Sequence, residues 1–467
     1  MLRVINRNPQ SSTLTATAYD EAGSIVGVAN TSLGTLASRQ MLAFTSAQLE
    51  AAIGFAPASG VAKYRVEFKA DLPSFDLINF VKDIATGNIS LGQAQIDGPV
   101  AATASTSTRN ALFVSASTSG NKTTVLRAIN IGNQSGTLTA KAYDEAGNPV
   151  GVANASLGAI SARQMLAFTS AQLEAAIGYV PVAPTAKYRI VIDSNLPSFE
   201  LINFIKDIAS GNLTLGQNQV DNRPPSSATS SSRSALSVNA SSGSKISVVR
   251  LINLSNQSAT VTATAYDDAG NLIGTDNANV GSLSAQRALS FTSAQLESLI
   301  GYSPSSSETK YRITFSAALP SFELINFTKD VASGNLTLAQ AQVDNIAAGT
   351  ASSSSRNVLF VNAASSTNKT SVMRLTNPNR QSGTLTVTAY NEAGSIIGTQ
   401  NASIGTIGAQ QTMTLSSAQI ETAIGYTPSG TAKYSVVFNA NLPNFELINY
   451  VKDVATGAIV PAQEQLD

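Results

Sequence analysis

Ala18-Tyr19-Asp20-Glu21-Ala22-Gly23 returns three times along the chain. It comes back as Ala142-Tyr143-Asp144-Glu145-Ala146-Gly147, as Ala265-Tyr266-Asp267-Asp268-Ala269-Gly270, and as Ala389-Tyr390-Asn391-Glu392-Ala393-Gly394. The tyrosines stand 124, 123 and 124 residues apart. A period this long exceeds that of solenoid repeats and matches a whole small domain. Four copies of one module therefore fill the 467 residues.

Working outward from the quoted stretch, Thr13-Leu14-Thr15-Ala16-Thr17-Ala18-Tyr19 alternates strictly. Leu14, Ala16 and Ala18 fall on one face and threonines on the other, the pattern of a half-buried strand. Asp-Glu-Ala-Gly then reads as a hairpin loop, with Gly23 at the left-handed position that closes such turns. Upstream lies a strand carrying Arg-x-(Ile/Thr)-Asn at Arg3, Arg127, Arg250 and Arg374, preceded in the later copies by a short opening strand at 110–114, 234–238 and 357–361. Downstream, Thr45-Ser46-Ala47-Gln48 is a capping box and Gly54 a stop, so a two-turn helix caps one end of the module. The same signals recur at 169–178, 292–301 and 416–425. Beyond the helix, Tyr64, Val66 and Phe68 alternate with charges as one strand, and residues 75–83 and a segment around Leu91 supply two more. About eight strands and one short helix per copy argue for a sandwich and against a parallel sheet.

The expected fold is thus all-β: four tandem Ig-like antiparallel β-sandwich modules, each with one short capping helix, joined by Ser/Thr/Ala-rich linkers. Their expected limits are residues 1–97, 108–221, 232–344 and 355–467, and the low-complexity tracts 98–108, 222–232 and 345–355 are read as moderately flexible linkers. Met1–Asn6 aligns with Val125–Asn130, so the first copy lacks its N-terminal strand. This start reads as a fragment or internal start of a longer secreted protein whose targeting segment lies upstream. A second frame gives each module the strand beyond its linker, in the manner of strand exchange.

Composition narrows function. With 43% hydrophobic residues each module can bury an ordinary core. Balanced charge, 29 basic against 29 acidic side chains, leaves no net field for nucleic acid or an anionic membrane. Cys, His and Trp are absent. No disulfide can form, and the commonest general base and zinc ligand is missing. No apolar run approaches a membrane helix.

The candidate chemistry each has a structural reading beside it. Asp20-Glu21 and its copies could offer oxygens to calcium, but Asp and Gly are also what a hairpin demands, and the fourth copy has Asn391. The recurrent strand arginines call for acidic partners, expected at Asp76, Glu200, Glu323 and Glu446 or at Asp83, Asp207, Asp330 and Asp453, with a ligand-contacting or free surface arginine as the alternatives. Lys82-Asp83, Lys206-Asp207, Lys329-Asp330 and Lys452-Asp453 resemble catalytic dyads, yet neighbours on a strand point to opposite faces. Asp83 more naturally starts a turn. Phe55, Tyr179, Tyr302 and Tyr426 follow the helix-ending glycine and could form a sugar platform, or pack back on their own helix. Sequons at Asn121, Asn154, Asn212, Asn335 and Asn368 are what an Asn/Ser/Thr-rich chain produces by chance. No nucleophile elbow, Ser-x-x-Lys or phosphate-cradling loop occurs. No catalytic, cofactor-binding or metal residue is assigned, no cofactor is expected, and the chain is read as not an enzyme.

The order Arg-x-(Ile/Thr)-Asn, Ala-Tyr-Asp-(Glu/Asp)-Ala-Gly, capped Thr-Ser-Ala-Gln-Leu-Glu, Lys-Tyr-Arg-(Val/Ile) resembles a β-sandwich module of bacterial secreted proteins, found in tandem or appended to extracellular enzymes and surface proteins. The resemblance spans all four copies, although its motifs are structural and Tyr64, Tyr188, Tyr311 and Tyr434 stand where that module often has Trp. It implies export, an extracellular or cell-surface location, and a spacer or binding role. The functional expectation is a non-enzymatic spacer, adhesive or matrix component. The alternative is glycan- or calcium-binding tandem modules, or an accessory region of a larger extracellular enzyme. Expected partners are an extracellular glycan or protein, with strand-exchange or neighbouring-module contacts, no nucleic acid and no membrane insertion by this segment.

Overall fold

A computed structural model describes the chain except residues 1, 7, 58–62, 74, 83–88, 94–105, 121, 183–185, 209–212, 218–228, 307–308, 333–335, 341–351, 430–431, 456–458 and 464–467. The polypeptide divides into two compact units, Met1–Pro224 and Pro225–Asp467, each holding two sequence repeats. It is an all-β sandwich-type fold: the described residues form eight small antiparallel sheets and four short helices. Most of the three tracts read as linkers falls outside the described residues.

The second repeat shows the complete plan. One sheet runs Pro149–Ile160, Gly136–Asp144, Lys187–Ser194, Ser107–Ser115; the other runs Met165–Thr169, Lys122–Ile129, Glu200–Asp207, Leu213–Gln217. Repeats three and four repeat this order. The opening strands begin three residues earlier than the sequence suggests, because Ser107 and Thr108 pair with Ser194 and Asp193. That pairing also decides between the two frames. Ser107–Ser115 lies on Lys187–Ser194 of its own repeat, so the strand-exchange frame falls. In the first repeat the corresponding sheet has, among the described residues, the three strands Ile25–Leu36, Ser12–Tyr19 and Arg65–Lys69.

The alternation read from sequence sets the core. Leu14, Ala16 and Ala18 are buried, as are Val261, Ala263 and Ala265 of the third repeat. The latter pack against Ile313 and Phe315 on their own sheet and Val249, Leu251 and Leu324 on the other. Each buried Val, Leu, Ile or Phe in this layer contributes about 1.5–3 kcal/mol.

All four helices carry the full capping box, with Thr45, Thr169, Thr292 and Ser416 as N-caps and a left-handed glycine as C-cap. Replacing Thr292 by alanine is expected to cost about 1 kcal/mol, read as a lowered denaturation midpoint of that repeat. The helix of repeat three buries Leu296 and Ile300 against the sandwich. Beside it runs the twelve-residue edge strand Leu272–Leu283, broken by left-handed Gly274, Asn277 and Gly281. These breaks shift its pairing register and make a poor template for a further strand.

Candidate functional site: the contact between successive repeats

The Asp-Glu-Ala-Gly hairpin divides its labour residue by residue. Its first acid closes the turn: Asp20 Oδ1 accepts from the Ser24 amide at 2.8 Å. Asp144 takes the Asn148 amide at 2.8 Å and its side chain at 3.0 Å. Asn391 serves in the fourth copy, accepting from Ser395 at 2.9 Å. An amide does this as well as a carboxylate, which explains the substitution and favours turn chemistry over the calcium reading. Among the described residues no three acidic side chains converge as a metal site would need.

The second acid reaches outward, to the next repeat. In the unit Pro225–Asp467, Asp268 grips Arg374 through two bonds, Nη2 to Oδ1 at 2.7 Å and Nη1 to Oδ2 at 3.2 Å. The Asp268 carbonyl also accepts the Thr412 amide at 3.1 Å. In the unit Met1–Pro224 the Glu21 carbonyl accepts the Met165 amide at 3.1 Å. There burial pushes the Arg127 guanidinium pKa down and the Glu21 carboxylate opposes it. The expectation that the strand arginines pair with acids of their own module is corrected at Arg374, whose carboxylate partner is Asp268 of the preceding repeat. The register explains part of this: Asp453 faces Lys369, at the far end of the strand from Arg374. Glu446 faces Thr376, two residues from the arginine. Asp83 lies outside the described residues. Arg3 and Arg250 are buried, and donate to Met41 Sδ at 3.4 Å and Ser290 Oγ at 2.9 Å.

A second contact flanks the hairpin. Tyr19 carries Arg65 over its ring at 4.4 Å and Arg163 of the next repeat at 5.7 Å. Arg163 closes on Glu67 at 3.0 Å while donating to Ile131 O at 2.6 Å and Asn133 Oδ1 at 2.9 Å in its own repeat. In the other unit Tyr266 carries Arg312 at 4.6 Å, and Arg312 donates to the Gln410 side-chain oxygen and, at 3.4 Å, to its carbonyl. Burial lowers the Arg312 pKa to about 10, against the pull of Tyr266 and then Glu446. It remains a cation at neutral pH. Arg163 and Gln410 are left-handed at φ 64° and 58°, an uncommon state for long side chains.

The fit is close enough to exclude a methyl group. A Cβ on Gly270, at φ +90°, would stand 2.5 Å from the Ala409 carbonyl oxygen, and one on Gly23 would stand 2.5 Å from that of Ala162. Leu236 of repeat three adds an apolar contact with Ile448, Tyr450 and Val372 of repeat four. Cutting Asp268 to alanine leaves the Arg374 side chain, 5% exposed, without its carboxylate. The expected cost at the contact is about 2 kcal/mol, more than for Asp268→Asn, and the coupling in an Asp268/Arg374 double-mutant cycle is about 1 kcal/mol because Asp268 is half exposed. Faster amide exchange at Thr412 is the measurement, with the first unit as internal control.

The remaining candidates are absorbed by packing. Phe55, Tyr179, Tyr302 and Tyr426 stand edge-on to Tyr64, Tyr188, Tyr311 and Tyr434, with centroids 5.4, 5.4, 5.7 and 6.0 Å apart. They are part of the core margin, which favours packing over the sugar platform. Beside each pair sits a helix glutamate. Tyr64, Tyr188 and Tyr434 donate to Glu50, Glu174 and Glu421 at 3.0, 3.3 and 3.0 Å. Glu174 and Glu297 also accept the Ser117 and Ser241 amides at 2.9 Å. Of the Lys-Asp pairs, Asp207, Asp330 and Asp453 end their strands opposite Lys122, Lys245 and Lys369, while Asp83 lies outside the described residues. Among the sequons, Asn154 and Asn368 are exposed, and Asn121, Asn212 and Asn335 lie outside the described residues.

No helix of the described chain is long and apolar enough to cross a membrane. Comparison with protein-family models and with curated proteins finds no match.

Proposed function

We propose that this chain is a non-enzymatic, extracellular or cell-surface repeat protein, a spacer or adhesive element of the secreted bacterial Ig-like sandwich type, in which the two repeats of each unit are braced against one another. The observation that carries this reading is that one hairpin-to-next-repeat contact occurs in both units with the same parts. Glu21 and Asp268 bond the Met165 and Thr412 amides at the same 3.1 Å, and Gly23 and Gly270 abut the Ala162 and Ala409 carbonyls at the same distance. A polypeptide that serves by holding a separation gains from contacts that resist hinging between neighbours. The recurrent polar residues are spent on turns, caps and these contacts, which is what a mechanical element requires.

Two measurements test it together. The full chain on a glycan array, with and without calcium, is expected to show no specific binding, and calcium is expected to leave its melting unchanged. Pulled from its ends in single-molecule force spectroscopy, it is expected to unfold in steps the size of one repeat. Saturable, calcium-dependent glycan binding would replace the spacer reading with the binding one.

A further inference from the structure

We infer that the contact between repeats is charge-matched, so that the residue at the position of Glu67 dictates which residue the next repeat can present at the position of Arg163. This rests on the bracing contact of the proposed function and adds a rule of order to it. The two contacts solve one problem differently. In both, a tyrosine and an arginine of the leading repeat, Tyr19 with Arg65 or Tyr266 with Arg312, form the surface that the left-handed residue of the following repeat meets.

Where that residue is Arg163, two guanidiniums share one tyrosine ring. Glu67 makes this tolerable, binding Arg163 at 3.0 Å from the strand that also carries Arg65. Its effect is visible in Arg65, whose pKa burial pushes down, Glu67 pushes back up, and Arg163 lowers again. Where the residue is Gln410, the strand of the leading repeat supplies no acid, and the carboxylate that acts on Arg312 is Glu446 of the following repeat. The amide oxygen accepts from Arg312, and the strand position matching Glu67 holds Thr314. Setting an arginine beside Arg312 with threonine at that position would place like charges together in a half-buried contact.

Within the two units, leading and following residues read Glu67 then Arg163 and Thr314 then Gln410, so the acid stands in the leading repeat where an arginine comes next.

The test converts the first contact into the form of the second, in the full chain. Glu67→Thr alone is expected to speed amide exchange at Met165, which bonds Glu21 across the contact, by about tenfold or more. Adding Arg163→Gln is expected to return it to within about threefold of the parent. Glutamine already occupies this left-handed position at Gln286 and Gln410, and at Gln286 its side chain bonds the matching asparagine, Asn256, at 3.0 Å. The double variant therefore keeps its own loop. Glu67 also holds Lys69 at 3.4 Å, but that pair is lost in both variants and cancels. A double variant no better than Glu67→Thr, or a harmless Glu67→Thr, overturns the matching rule. Glycan binding would overturn the spacer reading and leave the matching rule standing.

Discussion

Replacing Gly398 by alanine should destabilise the fourth repeat by about 3 kcal/mol. Gly398 lies in the edge strand Ile396–Ile407 at φ +67°, where that strand passes the end of the helix Ser417–Ile424. A Cβ there would meet the Ile424 carbonyl oxygen at 2.2 Å, and backbone cannot swing aside as a long side chain would. The same helix supplies the control. Gly425 has φ +66° and nothing within 4 Å of its would-be Cβ, so Gly425→Ala carries only the left-handed penalty, about 1 kcal/mol. The difference between the two variants measures the clash alone. Amide exchange or calorimetry on the intact chain reads it, with repeat three as the unaltered reference. Equal losses for the two would show that the strand can move away from the helix end. The matching glycines Gly27, Gly151 and Gly274 meet Ile53, Ile177 and Ile300 carbonyls at 2.3, 2.2 and 2.2 Å, so the same cost is expected in every repeat.

What could be read from sequence was whatever acts within a few residues or through alternation. The hairpin loop, the alternating strand before it and the capping box are each fixed by neighbours along the chain, and each stands where the pattern places it. The contact between repeats was not legible, because nothing local marks Asp268 as bonding outward while Asp267 bonds inward. Both are acids in one turn. The strand arginines showed the same difficulty. A buried cation demands a carboxylate, but the demand does not say from which repeat, and the equally recurrent acids of the same module drew the assignment. Two signals were present. The turn residues Arg39, Arg163, Gln286 and Gln410 occupy a left-handed position for which glycine is the easier choice, a hint that the side chain is needed. The pairing of Glu67 with Arg163 and of Thr314 with Gln410 is the other. For Phe55 and its counterparts the sequence left a sugar platform open beside packing, because an aromatic after a helix-ending glycine reads alike whether it faces solvent or folds back onto a tyrosine.

At high pH the chain should lose stability repeat by repeat, at up to about 1.4 kcal/mol per pH unit for each of the last three copies. The groups responsible are Tyr188, Tyr311 and Tyr434. Burial raises each phenol's pKa far above its ordinary value near 10, and the adjoining Glu174, Glu297 or Glu421 carboxylate raises it further. The sign follows from which state binds the proton. Between pH 10 and the raised value the unfolded tyrosine has ionised and the folded one has not, so the folded state holds more protons. Stability from this source is complete below about pH 10 and falls as pH rises past it. Phenolate absorbance should therefore rise in two stages, exposed tyrosines first, and these three only as the β-sheet circular dichroism is lost. Tyr64 in the first repeat is less enclosed and should ionise ahead of them, its shift too arising from burial first and Glu50 second. Tyr434→Phe keeps the ring against Tyr426 and removes the proton, so the fourth repeat should lose its share of the alkaline slope while the second and third keep theirs. Ionisation of all twelve tyrosines in one step near pH 10, with the sheet intact, would show that the Tyr–Glu pairs are open to solvent and do not tie each helix to its sandwich.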